Sequence, residues 1–407
     1  MKRRLVILTE IIAPYRIPVF NSLARHEDID LHVIFLAKTN PAERQWLVYA
    51  DEIRFSYEVL RSWRTKLAKY DLLVNQNVTE ALRRAAPEAI LCGGYNYPAA
   101  WQAQRWARQQ GVEFLLWCES TASDQRPGNV VIESLKRNFF AKCDGFVVPG
   151  DSARRYVEQM KCSEKSIFIA PNAVDNDLFA TGADAARNNA TRLRGKLGLP
   201  ARYFLFAGRL LKAKGVFDLL EAYASLDEAL RSEIGLVFAG DGPARAQLES
   251  RAHSIFPGAV HFAGFVHRDD LPNYYGLADC LVFPTHSDTW GMVVNEAMAC
   301  GLPVICSEVA GCAVNLVKTN GRTVPAHSVA HLAAALKELA LDATIRERMA
   351  TESKRLIEDY SPELCAAGIA RAALANATFK DNADYLNSPA AQQAAIPGRG
   401  RGENLSQ

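Results

Sequence analysis

Residues 285–305 read THSDTWGMVVNEAMACGLPVI, and this stretch carries the clearest structural signal in the chain. It begins where a predicted strand ends, makes a tight turn at Gly291 and continues as a helix that a Gly-Leu-Pro sequence ends. The amides of Gly291, Met292 and Val293 lie at the helix N-terminus, where backbone N–H groups bind anions. A strand, a tight turn and an anion-binding helix start predict an α/β domain with its ligand site at this turn.

Two acidic side chains flank this helix start. Asp288 precedes the turn, and Glu296 lies within the first two turns of the helix. Carboxylates beside an anion site are electrostatically unfavourable unless they bind hydroxyl groups. The residues alone leave two interpretations open: both carboxylates bind a sugar, or Asp288 caps the turn and Glu296 pairs with a surface lysine.

Two similar strand-to-helix turns come earlier in the chain, GRLLKAKG at 208–215 and AGDGP at 239–243. Their glycines permit close backbone approach. Arg209 offers a forked donor for phosphate oxygens, and Lys214 adds a compact positive charge. Each turn alone is weak evidence, since glycine-rich turns are common in α/β proteins. Because ligands bind at the carboxyl ends of parallel strands, the three turns together predict one site.

Apolar runs alternate with helical patterns in both halves, which predicts two doubly wound α/β domains with parallel sheets. The predicted strands are Leu5–Leu8, Leu31–Leu36, Ala89–Cys92, Phe114–Trp117, Phe146–Val148, Ile167–Ile169, Tyr203–Ala207, Gly235–Ala239, Val260–Phe262, Cys280–Phe283, Val304–Cys306 and Arg322–Val324. The predicted boundaries are 1–170 for an acceptor-binding domain, 171–200 for a linker, 201–360 for a nucleotide-binding domain, 361–380 for a helix crossing back and 381–407 for a disordered tail.

The amino-acid composition is typical of a globular protein of two domains. The chain has 407 residues, 49% of them hydrophobic, and a net charge of +2, which fits two globular domains and gives no case for nucleic-acid binding. The first 170 residues carry 24 Lys/Arg against 19 Asp/Glu. The sequence has no run of about 18 apolar residues, so it predicts no membrane-spanning helix. Nine cysteines without a C-x-x-C pair favour a reducing compartment, so we expect a cytoplasmic protein.

The order GRLLKAKG, FAGDGP, FAGFV and SDTWGMVVNEAMACGLPVI resembles the C-terminal domain of family 4 retaining glycosyltransferases, from about residue 171 to about residue 325. That family carries two acidic residues with seven positions between them, the spacing of Asp288 and Glu296. The resemblance implies a GT-B fold, in which two Rossmann-like domains face a cleft. It also implies transfer of a hexose from a UDP- or GDP-type sugar to a hydroxyl, with retention of configuration. A lipid-linked or surface-polysaccharide glycan is the expected acceptor.

The resemblance also implies a role for each residue of the site. It implies diphosphate binding by Arg209 and Lys214, phosphate binding by the amides of Gly291, Met292 and Val293, ribose binding by Glu296, nucleobase contact by Gly264, Phe265 and Val266, and hexose contact by Asp288. The nucleotide sugar is then a co-substrate, and neither a cofactor nor a metal is expected. Positive charge at Arg209 and Lys214 would neutralise the leaving group without one.

Two positions depart from the family pattern. Asp288 stands where the family usually has Glu, and its side chain is shorter by about 1.5 Å. Relatives also tend to have a His beside the donor sugar after the fourth or fifth strand, whereas this chain has Glu119 at such a strand end. We expect Glu119, like Asp288, to be a catalytic candidate that holds a sugar or acceptor hydroxyl; capping of the following segment is the alternative.

Other functions and features stay open at this point. A GT-B sugar-nucleotide epimerase or hydrolase, or a non-catalytic nucleotide-sugar-binding pseudoenzyme, shares the same motifs, whereas a nicotinamide oxidoreductase would need a G-x-G-x-x-G that neither half has. Residues 175–177 imitate the metal-binding D-x-D but match the predicted linker. His286, two residues before Asp288, either lines the cleft or is a solvated loop residue. The basic-aromatic clusters 61–66 and 136–140 fit either peripheral contact with the inner face of the plasma membrane or a solvated surface.

Overall fold

The computed structural model describes residues 2–40, 45–67, 70–124, 130–161, 166–255 and 258–375. Two separate parallel sheets, each covered by helices on both faces, divide the chain into two α/β halves. The predicted fold class is therefore confirmed. The predicted tail at 381–407 lies outside the described residues.

The first half forms a seven-stranded parallel sheet. Its strands and those of an adjoining hairpin are β1 (Arg3–Thr9), β2 (Ile29–Phe35), β3 (Ser56–Val59), β4 (Ser62–Leu67), β5 (Tyr70–Asn75), β6 (Ala89–Cys92), β7 (Glu113–Trp117), β8 (Gly145–Val148) and β9 (Ile167–Ile169). The sheet order is β3-β2-β1-β6-β7-β8-β9, and β4 pairs with β5 as an antiparallel ribbon. Neither β3 nor this ribbon was predicted from the sequence.

The second half forms a six-stranded parallel sheet in the order β12-β11-β10-β13-β14-β15. Its strands are β10 (Tyr203–Ala207), β11 (Gly235–Ala239), β12 (Val260–Gly264), β13 (Cys280–Phe283), β14 (Val304–Ser307) and β15 (Gly321–Val324). The central strands β10, β11 and β13 are buried along their whole length. A continuous apolar run, such as YFLFA in β10, suits a parallel strand covered on both faces.

Helices cover both faces of each sheet. They are α1 (Ile17–Ala24), α2 (Val78–Ala85), α3 (Pro98–Gln110), α4 (Val130–Phe140), α5 (Asp151–Gln159), α6 (Asn176–Asn188), α7 (Ala190–Leu197), α8 (Val216–Ala224), α9 (Glu228–Glu233), α10 (Arg245–Ile255), α11 (Leu271–Leu277), α12 (Met292–Ala299), α13 (Ala313–Leu316), α14 (Val329–Leu341), α15 (Ala343–Ile357) and α16 (Pro362–Ala375). Although α16 ends the described chain, it packs against α1 and β9 of the first half.

The segment 171–200, predicted as a linker, instead contains the two helices α6 and α7. Phe179 and Ala183 on α6 are buried in the core of the second half, against α11. The Asn- and Ala-rich composition hid this helix, whose apolar residues are few but face the core. Asp175 accepts a hydrogen bond from the Leu178 N–H at 3.0 Å and so caps the start of α6. The D-x-D-like residues 175–177 thus begin a helix.

Candidate functional site

A cleft of about 710 Å³ lies between the two halves. The carboxyl ends of β10, β11 and β13 form one wall, and Tyr15, Trp46 and Glu119 of the first half contribute to the other. This volume falls within the range of about 300–1,000 Å³ that small-molecule sites occupy. The three strand-to-helix turns identified in the sequence therefore meet at one cavity.

Close backbone packing builds the floor of this cleft. Gly240 follows β11 with φ at +155°, and a Cβ on it would stand 1.9 Å from the carbonyl oxygen of Gly208. Gly215 precedes α8 with φ at +68°, and its Cβ would stand 1.9 Å from the carbonyl oxygen of Pro284. Only glycine fits at such approaches. The glycines of the motifs thus bring neighbouring strand ends into backbone contact.

Two of the cationic side chains that line the cleft, Arg209 and Lys214, differ in their partners. Arg209 lines the cleft and forms neither an ion pair nor a side-chain hydrogen bond with any residue that the structure describes. Lys214 instead pairs with Asp288, with 2.5 Å between its Nζ and the carboxylate Oδ2. Both side chains are about four-fifths buried, at 23% and 19% exposure. The cleft thus holds one unpaired guanidinium and one ammonium neutralised by an acidic neighbour.

Asp288 makes two contacts at once. Its Oδ2 accepts from Lys214, while its Oδ1 accepts the Trp290 N–H at 3.1 Å. The second contact is the turn cap that the sequence left as one of two interpretations. The first places the carboxylate on the cleft wall beside a cation. Asp288 is therefore both a turn cap and a residue of the cavity.

The helix α12 begins at the cleft. Gly291, at φ +104°, is its N-cap, and Met292 and Val293 are its first helical residues. All three line the cavity. Amides of a first helical turn have no acceptor within the helix, and the helix dipole adds positive potential there. The predicted anion-binding amides thus lie where a ligand in the cleft can reach them.

Glu296 lies one turn further along α12, and it is half-buried at the cleft wall. Its Oε2 accepts a hydrogen bond from the hydroxyl of Tyr275 at 2.6 Å. Burial raises the pKa of the Glu296 carboxyl to about 7, although the Tyr275 hydrogen bond acts in the opposite direction. The partner of Glu296 is therefore a core tyrosine, and the alternative of a surface lysine is wrong.

The loop after β12 supplies part of the predicted nucleobase contact. Phe265 and Val266 line the cleft, and Phe265 is 38% exposed. Gly264 does not line it; a Cβ there would stand 3.2 Å from Nη1 of Arg245. Two of the three residues are thus placed to touch a ligand, and Gly264 at φ +73° shapes the turn that presents them.

Glu119 lines the cleft after β7 and forms an ion pair with Arg16. The Arg16 guanidinium lies 3.9 Å over the Trp117 ring. Burial is the largest single effect and lowers the pKa of Arg16, but the charge and hydrogen bond of Glu119, together with Tyr15 and Cys365, raise the pKa above its ordinary value. Among the described residues, Glu119 is thus held in place by a largely buried cation.

Two family models cover most of the chain. The model described as Glycosyl transferases group 1 matches residues 190–356, and the model described as Glycosyltransferase Family 4 matches residues 21–178. The chain belongs to the group 1 glycosyltransferases.

Several curated proteins resemble this group 1 glycosyltransferase over part of its length. A D-inositol 3-phosphate glycosyltransferase of Xylanimonas cellulosilytica is 32% identical over 210 residues, which is 50% of each chain. A putative teichuronic acid biosynthesis glycosyltransferase of Bacillus subtilis is 35% identical over 144 residues, 34% of each chain. The chain spans half or less of the length of these curated relatives.

Solved structures match nearly the whole chain and share its GT-B fold. Sucrose-phosphate synthase of Thermosynechococcus elongatus has a TM-score of 0.70 at 19% identity, covering 93% of this chain and 100% of that chain. Anabaena HepE in complex with UDP has a TM-score of 0.69 at 16% identity, covering 91% and 98%. At these identities the likeness concerns the fold alone.

Sequence reasoning missed an ion pair that joins the two halves of this glycosyltransferase. Arg268 follows β12 and lines the cleft, and both its terminal nitrogens donate to the Glu52 carboxylate of the first half. The same guanidinium lies 3.8 Å over the Tyr49 ring. Nothing local marks these residues, because 216 positions separate the charged partners. A bidentate pair of this kind fixes the relative position of two surfaces.

The basic-aromatic clusters fold differently from one another. In cluster 136–140, Phe139 and Phe140 are buried in the first core, so that part of the surface interpretation is wrong. In cluster 61–66, Trp63 is 71% exposed. The aromatic rings of cluster 136–140 are buried because they lie at the end of α4 that packs into the core of the first half.

Proposed function

We propose that the protein is a retaining hexosyltransferase, which moves a hexose from a nucleoside diphosphate sugar to a hydroxyl of a glycan acceptor. One observation carries the proposal: Arg209, Lys214 and the N-terminus of α12 converge on a single cleft of about 710 Å³ between two Rossmann-like halves. Positive groups of this kind suit a diphosphate. Carboxylates at the same wall, Glu296 and Asp288, suit the hydroxyls of ribose and hexose.

The same groups account for bond cleavage. In the reaction, the bond between the anomeric carbon and a diphosphate oxygen breaks, the acceptor oxygen bonds to that carbon, and the acceptor's hydroxyl proton leaves with the diphosphate. Negative charge develops on the departing diphosphate, and Arg209, Lys214 and the α12 amides are preorganised to stabilise it. Asp288 lies beside Lys214 and would face the sugar, where positive character develops. Glu119 lies on the opposite wall, on the side from which an acceptor would approach.

A UDP- or GDP-type donor suits this site, and no cofactor enters the proposed reaction. UDP and UDP-glucose are the ligands of the solved HepE complexes that share this fold. Phe265 and Val266 offer an apolar surface to a base. Retention of configuration rests on the resemblance to family 4.

The proposed acceptor is a lipid-linked or surface-polysaccharide glycan. The teichuronic acid relative and the fold neighbour WaaG, named for lipopolysaccharide biosynthesis, support this class. So does α4, where Val130, Val131, Ile132 and Leu135 are all at least 48% exposed. Apolar side chains with a basic neighbour such as Arg137 suit an anionic lipid surface. We therefore propose a cytoplasmic protein that contacts the inner face of the plasma membrane. No helix among the described residues meets the length and hydrophobicity needed to span a membrane.

Transfer is tested with a panel of UDP-, GDP- and ADP-hexoses, membrane lipid extract as acceptor, and NMR of the product's anomeric configuration. Lys214→Ala should lower turnover by about 10²–10³, the effect of losing one strong oxyanion donor. Lys212→Ala is the matched control, because Lys212 is exposed, belongs with Lys214 to the short 3-10 helix Lys212–Lys214 and does not line the cleft. Equal activity of both variants would remove Lys214 from the site.

The products separate the remaining functions. Release of free nucleotide without a glycosylated product would indicate an epimerase or hydrolase. Saturable UDP or GDP binding without turnover of any donor would indicate a pseudoenzyme. An inverted product would leave the transferase in place and overturn the assignment of retention.

Membrane contact has a separate test by sedimentation with anionic and neutral vesicles. Leu135→Asp should reduce binding to anionic vesicles, because it places a carboxylate on the exposed apolar face of α4. Leu341→Asp is the control, since Leu341 is similarly exposed, at 64%, on α14 of the other half. Equal sedimentation with both lipid compositions would contradict the proposal.

A further inference from the structure

Three potential metal ligands meet on the second half, outside the residues that line the cleft. Asp218 lies in the first turn of α8, His286 in the loop after β13, and His327 in the loop before α14. Their ligand atoms all lie within 4.8 Å of one another. Nε2 of His286 is 2.8 Å from Oδ2 of Asp218, and the two imidazole rings stack with 3.6 Å between centroids. Three elements distant in sequence thus bring two imidazoles and a carboxylate together.

A small cavity adjoins this cluster. Its volume is about 10 Å³, and Asp218, Ser307 and His327 are among its lining residues. Ser307 is fully buried, and its hydroxyl has no hydrogen-bond partner among the residues that the structure describes. A cavity of about this size holds one water molecule. A buried hydroxyl without a partner is rare and indicates an absent ligand or water.

The backbone at His327 supports a role for its side chain. Its φ is +59°, in the left-handed region that few residues other than glycine adopt. Such a conformation is strained and persists where the surroundings impose it, often at binding sites. Here it turns the imidazole of an exposed loop residue onto His286.

We propose that Asp218, His286 and His327 bind a divalent transition metal ion of the zinc type, with a water at the fourth position donating to or accepting from Ser307. Two imidazoles and one carboxylate form a donor set that Zn²⁺ takes in proteins, whereas Mg²⁺ and Ca²⁺ prefer oxygen ligands alone. Zinc bonds of about 2.1 Å in a tetrahedron put ligand atoms about 3.4 Å apart. The His286 Nε2 and Asp218 Oδ2 atoms are 2.8 Å apart, so metal binding requires these side chains to rotate away from their hydrogen bond.

The site joins segments that also carry the cleft. The backbone N–H of His286 donates to the Ala213 carbonyl at 2.9 Å, and the Thr285 hydroxyl donates to the same oxygen at 3.2 Å. Ala213 precedes Lys214, and His286 lies two residues before Asp288. A metal bound there would hold the two loops that supply the Lys214–Asp288 pair without touching the ligand in the cleft. Its role is structural, and transfer chemistry does not depend on it.

The test uses purified full-length protein, stripped of metal by EDTA and titrated with Zn²⁺ in a calorimeter. We expect one saturable site and a higher melting temperature with Zn²⁺ than without. Asp218→Asn and His327→Asn should each weaken Zn²⁺ binding more than about tenfold, since even outer-shell changes cost 10–100-fold. Asn suits position 327 because it tolerates positive φ. The control His253→Asn changes an exposed histidine on α10 and should bind as wild type does.

Titration with Co²⁺ identifies the ligands. A tetrahedral visible spectrum that lacks a thiolate-to-cobalt band, and that disappears in the Asp218 and His327 variants, would support the proposal. The proposal fails if wild type shows no saturable Zn²⁺ binding, if the two variants bind as tightly as His253→Asn, or if a thiolate band assigns the metal to cysteine.

Discussion

The protonation of Glu296 makes the stability of the protein depend on pH. Burial raises the pKa of this carboxyl from 4.5 to about 7, whereas in the unfolded chain it titrates near 4.5. Between these values the folded state binds more protons than the unfolded state, so the free energy of unfolding falls as pH rises. The destabilising effect is absent below about pH 4.5 and complete above about pH 7. Glu296→Gln removes it.

The size of the effect follows from the two pKa values. A change from 4.5 to about 7 corresponds to about 3 kcal/mol, at 1.36 kcal/mol for each pH unit. Because Glu296 lies at the wall of an open cleft, water reduces this value, and we expect about 1–3 kcal/mol. Glutamine keeps the shape of the side chain, and its carbonyl oxygen can still accept from Tyr275. The variant should therefore gain stability over wild type as pH rises from 5 to 8.

Urea unfolding at pH 5, 6, 7 and 8 measures this difference, with the exposed carboxylate variant Glu308→Gln as control. If the free energies of unfolding of wild type and Glu296→Gln change with pH in parallel, burial does not raise the pKa of Glu296. The same variant should mainly raise the KM for the donor, since ribose contacts are similar in the ground and transition states. The affinity of wild type for UDP or GDP should rise with pH towards about 7, because a carboxylate is the stronger acceptor.

Three further perturbations test the site and the fold. Asp288→Asn should lower kcat more than it raises the donor KM, because its contact with the hexose strengthens in the transition state; a defect confined to KM would leave Asp288 as a binding residue. Gly215→Ala should cost at least about 1–3 kcal/mol from left-handed strain alone, and its Cβ would also meet the Pro284 carbonyl; an unchanged melting temperature would contradict this. Arg268→Ala should increase the radius of gyration in X-ray scattering, because it removes an ion pair with Glu52 that joins the two halves; identical scattering of variant and wild type would show that this pair does not hold the halves together.

The central strands were predictable because burial leaves a strong local signal. The predicted strands Tyr203–Ala207 and Gly235–Ala239 coincide residue for residue with β10 and β11. A parallel strand covered on both faces has to be apolar throughout. Strand β4 lacks that signal, since its sequence SWRTKL is mostly polar and its Trp63 is 71% exposed. It is a strand through its antiparallel pairing with β5, outside both main sheets.

The same distinction separates the site residues. Those set by one strand-to-helix turn, such as Gly291 and Lys214, could be placed from motif order alone. Contacts between distant elements could not: 103 positions separate Arg16 from Glu119, and 68 separate Asp218 from His286. Such pairs depend on how helices and loops pack around the sheets. Local periodicity and spacing carry no information about them.

The two interpretations of Asp288 describe different oxygens of one side chain. Oδ1 caps the turn at Trp290, and Oδ2 neutralises Lys214 while no anion is bound. An arriving diphosphate has to share Lys214 with this carboxylate, and the like charges repel. Asn at 288 can keep the cap through its carbonyl oxygen and removes the repulsion. UDP or GDP should then bind Asp288→Asn as tightly as wild type or more tightly, even though turnover falls. Weaker nucleotide binding by this variant in calorimetry would show that Asp288 supports the phosphate site instead of opposing it.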